Sequence, residues 1–144
     1  MIKEGGIKVQ AEKALVRSNM LYSYIDSTEG YYVNEVNKKY RSRMNVVFTI
    51  GPNHSGYNDL ENKFFAESAK HGLKTLKGLP VYGGVRASIY NAMPIEGVVQ
   101  LVDFMEKFRQ ANPLPRTSDR IINISYQPLK NFMLNIKIFS MSAI

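Results

Sequence analysis

Apolar residues recur along the first hundred positions with two different periods. Over residues 8–25, Ala11, Ala14, Leu15, Ser18, Tyr22 and Ile25 fall at helical spacing, and Gly30 stands just beyond as a stop. This spacing predicts one amphipathic helix. Residues 31–33 and 44–50 are instead rich in β-branched and aromatic side chains, and Gly51-Pro52-Asn53 closes the second run with turn chemistry, so both read as short strands. Asn58 or Asp59 then caps a helix whose apolar face carries Leu60, Phe64 and Phe65, and His71-Gly72 supplies a cation and a terminating glycine. A short strand at 73–76, a loop at 77–82 and a strand at 85–90 follow. Pro94 opens a last helix with Ile95, Val98, Val99, Val102 and Met105 as its expected buried stripe.

Strands followed by helices, with a helix at each end of the block, predict a two-layer α/β sandwich whose sheet is covered on one side. The pattern changes after residue 112. Pro113 and Pro115 break the last helix, and the remainder, IINISYQPLKNFMLNIKIFSMSAI, has neither strand alternation nor a helical stripe. Residues 1–112 therefore read as one domain and 113–144 as a tail, disordered or forming an edge extension. Its bias toward Ile, Asn, Lys, Phe and Ser suits translation of A+T-rich noncoding sequence. A genuine extension pairing as an edge strand is the competing reading.

The strand period also says where one arginine points. In 85–90, Val85, Ala87 and Ile89 share one face, and Arg86, Ser88 and Tyr90 share the other. The apolar face belongs against the helices, so Arg86 faces away from them. It follows Gly83 and Gly84, which permit an unusual turn and the close approach of a ligand. A guanidinium there suits a fork for a carboxylate, a charge-assisted contact worth about 1.5–3 kcal/mol. Pairing with a local acid, or lying on the surface, is the alternative.

Composition narrows the classes. With 144 residues, 44% hydrophobic and 11% aromatic, the chain can build one modest core. It has no cysteine, hence no disulfide or thiolate metal site. The first residues lack a signal-peptide apolar region, and no run approaches the roughly 20 apolar residues of a membrane span, so a cytoplasmic protein without membrane partners is expected. The formal charge of +7 is spread along the chain, with +3 in residues 113–144. Its densest cluster, Lys38-Lys39-Tyr40-Arg41-Ser42-Arg43, reads as a solvated loop, and RNA-binding aromatic patterns and zinc-knuckle spacing are absent, so no nucleic acid partner is expected.

Several ordered motifs carry a resemblance. RSRMNVVF at 41–48, HGL at 71–73, LKG at 76–78 and GGVRASIYNAMPIEGV at 83–98 together resemble the C-terminal small domain of the phosphoserine aminotransferase family, over about residues 1–112. The resemblance implies the fold of that domain in fold-type I aminotransferases, a small mixed sheet covered by helices on one face. It implies part of a homodimeric enzyme of serine biosynthesis that uses pyridoxal 5'-phosphate to transfer an amino group between glutamate and 3-phosphohydroxypyruvate. Arg86 matches the family arginine that binds the substrate α-carboxylate, with Gly83 and Gly84 supporting the turn before it. The Schiff-base lysine and the cofactor's phosphate loop belong to the family's large domain. None of the ten lysines before Pro113 stands in the cofactor-lysine context, so this chain alone is expected to be inactive and to bind no cofactor. His54 and His71 have loop and helix-end explanations. Leu79 and Pro80 occupy the positions where the family carries a His-Arg pair that contacts the substrate phosphate. The alternative function is a noncatalytic small-domain module that pairs with an intact aminotransferase subunit.

Overall fold

The structure, a computed structural model, describes residues 5–51 and 58–114. Expectations for His54 and for 115–144 lie outside the described residues. The chain divides after Asn112 into two units, and every element described belongs to the first.

Helix α1, Gly6–Ser27, ends at Thr28, whose hydroxyl donates to the Ile25 carbonyl at 2.7 Å and accepts from the Tyr32 amide at 3.0 Å. One side chain thus stops the helix and starts strand β1, Tyr32–Val33. A single 3-10 turn, Lys38–Tyr40, precedes β2, Asn45–Ile50. Helix α2, Asp59–Lys70, leads by an irregular run to β3, Val85–Ser88, and α3, Ile95–Ala111, completes the domain.

The sheet has the order β1-β2-β3, with Tyr32 opposite Ile50 and Val46 opposite Ala87. Both described pairings are antiparallel, so this sheet is antiparallel rather than mixed. After α2 the irregular run carries the chain back far enough for β3 to enter against β2 rather than alongside it. The strand expected at 73–76 does not form. Thr75 has φ 59, a left-handed conformation that a β-branched residue cannot carry through an extended strand, and only Lys77 makes a bridge, to Val85.

One face of the sheet carries Tyr32, Val46, Phe48, Ile50, Val85, Ala87 and Ile89, all buried. Phe64 of α2 lies at the centre of the layer against it. Its ring meets those of Phe48, Phe104 and Phe108 at centroid distances of 6.4, 5.0 and 5.1 Å, near edge-to-face. This cluster explains why the buried stripe of α3 is Val98, Leu101, Phe104, Met105 and Phe108, while Ile95 and Val99 stay more than a third exposed. Large rings fill the space beside Phe64 better than β-branched side chains, so the helix turns its aromatic edge inward. In α1 Ala14, Ser18, Tyr22 and Ile25 are buried as expected, but Ala11 and Leu15 are exposed and Arg17 and Leu21 are buried in their place. Two adjacent stripes satisfy helical spacing there, and packing against α3 and the sheet selects between them.

Candidate functional site

Arg86 stands second in a strand whose residues alternate between buried and half-buried. Its cross-strand partner is Val47, 42% exposed, and the neighbouring pair on the same face is Val33 with Thr49. This is the sheet face opposite the helices. Over it opens a cavity of about 720 Å³ that no helical residue lines.

The turn before Arg86 is built from backbone. Gly83 and Gly84 both have positive φ, 67 and 70. A Cβ on Gly84 would also stand 2.8 Å from the Phe48 carbonyl oxygen, so a side chain is excluded by both conformation and space. The amides of Tyr82 and Gly83 donate to the Leu79 carbonyl at 3.0 and 2.8 Å, the Gly78 amide donates to the Gly84 carbonyl at 3.0 Å, and the Arg86 amide donates to the Leu76 carbonyl at 2.7 Å. Residues 76–86 thus form a tied loop from which Arg86 projects.

A buried carboxylate secures that loop to the core. Glu61, 0% exposed, accepts the Ile50 amide on one oxygen at 3.2 Å and the amides of Asn58 and Gly84 on the other, both at 3.3 Å. It joins the end of β2, the start of α2 and the turn before Arg86. The Asn58-x-x-Glu61 spacing is a capping box, visible in sequence, and both halves form. The added reach to Gly84 is not visible there, because it joins residues 23 positions apart.

The guanidinium itself has few contacts with the described residues. Arg86 Nε is buried without a hydrogen-bond partner, and Arg86 forms no ion pair with a described residue, although Glu35 lines the same cavity. A local acid therefore does not account for this arginine. Leu79, 56% exposed, lines the cavity together with Val81 and Tyr82; Pro80 is exposed but does not line it. The described lining contains no lysine, so it does not fit the anchoring of an aldehyde cofactor.

Other candidates have structural roles. His71 caps α2, with its ring 5.5 Å from that of Phe104. In the basic cluster, Arg41 grips Asp26 through two bonds of 2.7 and 2.8 Å and lies over the Tyr22 ring at 4.5 Å, while Lys38 reaches the same carboxylate at 3.5 Å. The bond to Arg41 holds the Asp26 carboxyl below its usual range. Two of the cluster's cations are thus committed within the protein. Among the described residues no group of acids and histidines is placed to hold a metal, and no helix is long and apolar enough to cross a membrane.

No family model matches the chain. Individual proteins do. The chain is 49% identical over 108 residues to phosphoserine aminotransferase of Buchnera aphidicola subsp. Baizongia pistaciae, covering 75% of this chain and 27% of that protein. It is 45% identical over 112 residues to the enzyme of Histophilus somni, covering 78% and 30%. Its fold matches the solved phosphoserine aminotransferase of Bacillus circulans subsp. alkalophilus with a TM-score of 0.67 at 36% identity, over 76% of this chain and 29% of that one. The pyridoxal-phosphate-bound enzyme of Trichomonas vaginalis matches with a TM-score of 0.60 at 37% identity, over 66% and 26%.

An antiparallel sheet backed by helices, with an unpaired arginine on its open face, is thus a domain of the aminotransferase class. Within that class the chain belongs to the phosphoserine aminotransferase family and corresponds to its C-terminal part. It spans less than a third of the length of the relatives it matches.

Proposed function

We propose that this chain supplies the substrate-carboxylate grip of a phosphoserine aminotransferase, an enzyme moving an amino group between glutamate and 3-phosphohydroxypyruvate as a cytoplasmic homodimer. The observation that carries the reading is Arg86, projected from a tied loop into an open cavity with its Nε unpartnered. Both substrates carry an α-carboxylate, and a guanidinium holding its two oxygens orients the bonds at the adjacent carbon. Pyridoxal phosphate, which serves as the electron sink in such transfers, belongs in this reading to the part of the longer protein that this chain lacks. The residues here bind and orient.

Leu79 and Pro80 sharpen the substrate question. Leu79 presents an apolar surface to the cavity where the family resemblance places a phosphate contact, and Pro80 offers no amide hydrogen. The loop therefore weakens the preference for a phosphorylated over an unphosphorylated keto acid. Because Leu79 lines the cavity and Pro80 does not, Leu79→His carries more of the recovery than Pro80→Arg.

The test uses a protein completed to the relatives' length. Arg86→Ala raises KM for glutamate and for the keto acid together and lowers kcat/KM by about tenfold or more, the loss of one charge-assisted contact. Unchanged kinetics for both substrates would overturn the role of Arg86. Equal phosphate preference with and without His and Arg restored at positions 79 and 80 would overturn the reading of the loop alone.

A further inference from the structure

A second arginine is more deeply buried than Arg86 and also short of partners. Arg17 lies in the middle of α1, only 3% exposed. Its Nε has no hydrogen-bond partner, and the guanidinium makes one long contact, Nη2 to the neutral Asn91 Oδ1 at 3.4 Å. It forms no ion pair with a described residue. A guanidinium removed from water without a counterion is unfavourable, and here it lines a cavity of about 720 Å³ between α1 and the segment entering α3. This cavity shares no lining residue with that of Arg86.

The lining specifies the ligand. Lys13 stands one turn before Arg17, and Glu12 and Glu96 also line the cavity, so two cations face two acids. This charged lining sums to no net formal charge, so an entering anion gains chiefly the guanidinium fork, and because the cost of desolvation rises with the square of the charge, a monoanion is favoured over a dianion. Val16, Met93 and Ile95 supply apolar surface beside the charged groups. We infer that the Arg17 cavity is a site for a single carboxylate carried on an aliphatic group. That carboxylate has two possible sources: a free monocarboxylic acid, or an acidic side chain flanked by apolar residues in the portion of the relatives, more than two thirds of their length, that this chain does not span.

The probe is 3-methylbutanoate, followed through the Nε–Hε resonances of the ¹⁵N-labelled chain, with Arg17 assigned by through-bond correlation to its own backbone. The expected result is a saturable shift at Arg17 Nε with a dissociation constant on the order of millimolar, and sulfate several-fold weaker at equal ionic strength. Glu96→Gln, at an exposed position, tightens 3-methylbutanoate binding by roughly two- to fivefold, and Arg17→Met abolishes it. If Arg17→Met does not fold, the Glu96→Gln comparison stands by itself. In a protein completed to the relatives' length, a shifted Arg17 resonance that no longer responds to the probe identifies a side-chain carboxylate, and a responsive one identifies a free ligand. A resonance that is unshifted and unresponsive in both lengths of protein overturns the site. Equal binding of sulfate overturns its restriction to a monocarboxylate, and a response confined to Arg86 returns the observation to the other cavity.

Discussion

The two faces of the three-stranded sheet are built from alternate residues of the same strands, yet they do opposite work. On the covered face, Phe48 meets Phe64, whose ring in turn meets those of α3, and the Tyr32 hydroxyl donates to the Met105 carbonyl at 2.9 Å. On the open face, Val47 and Thr49 flank a guanidinium whose Nε has none. Stability accumulates where surface is removed from water and donors are satisfied. In the proposed function, binding capacity is held where a charged donor is kept in place but left unpaired. The connection between them is Glu61, whose carboxylate carries the order of the core to Gly84 and so to the base of Arg86.

The comparison breaks most severely at the centre of the covered face. Phe64→Ala leaves a void among Phe48, Phe104 and Phe108 and should cost about 3–5 kcal/mol, read as a lower denaturation midpoint with the slope unchanged. A loss below about 1 kcal/mol would mean that the cluster collapses to fill the void.

Raising the pH tests burial on that face and beside it. Burial raises the hydroxyls of Tyr22 and Tyr32, and pushes that of Tyr31 up to about 12 from the ordinary 10. These groups ionise more easily in the unfolded chain, so their contribution to stability is complete below about pH 10 and is lost as pH rises through the folded values. Each should steepen that loss by about 1.4 kcal/mol per pH unit between its two values. Denaturation midpoints at pH 8, 10 and 11 measure it, and equal midpoints at all three would contradict the burial of these rings.

Glu61→Gln tests the link between the faces. The amide keeps one acceptor oxygen, and the less costly orientation turns its NH₂ toward Ile50, leaving that buried amide unpaired at a cost of about 1–3 kcal/mol. Hydrogen exchange at Gly84 and Arg86 should accelerate more than exchange in α3. Uniform acceleration throughout the domain would reduce Glu61 to a helix cap.

The smallest effect is expected at Arg86. Because its guanidinium satisfies nothing among the described residues, Arg86→Met should move stability by no more than about 0.5 kcal/mol in either direction. A loss of about 2 kcal/mol would show that the open-face arginine is structural after all.

Local chemistry alone determined a good part of this protein. The existence of three helices and of the strands flanking Phe48 and Arg86 follows from periodicity, because side chains on regular backbone must face one medium or another at fixed intervals. The face chosen by Arg86 follows from the same alternation, while the cap at Asn58 follows from its side-chain acceptor and the glycines before the strand from the positive φ of their turn. Tertiary structure decided what periodicity leaves degenerate. It selected Leu21 over Leu15 in α1 and Phe104 over Val99 in α3, since adjacent stripes on one helix are equally periodic and only the shape of the opposing layer separates them. It broke the expected strand at Thr75, and it brought Glu61 to Gly84 and Arg17 to Asn91 across 23 and 74 positions. Pairings at such separations leave no local periodic trace. They exist only once the layers have closed, when burial makes each remaining polar group depend on whichever partner the fold has placed within reach.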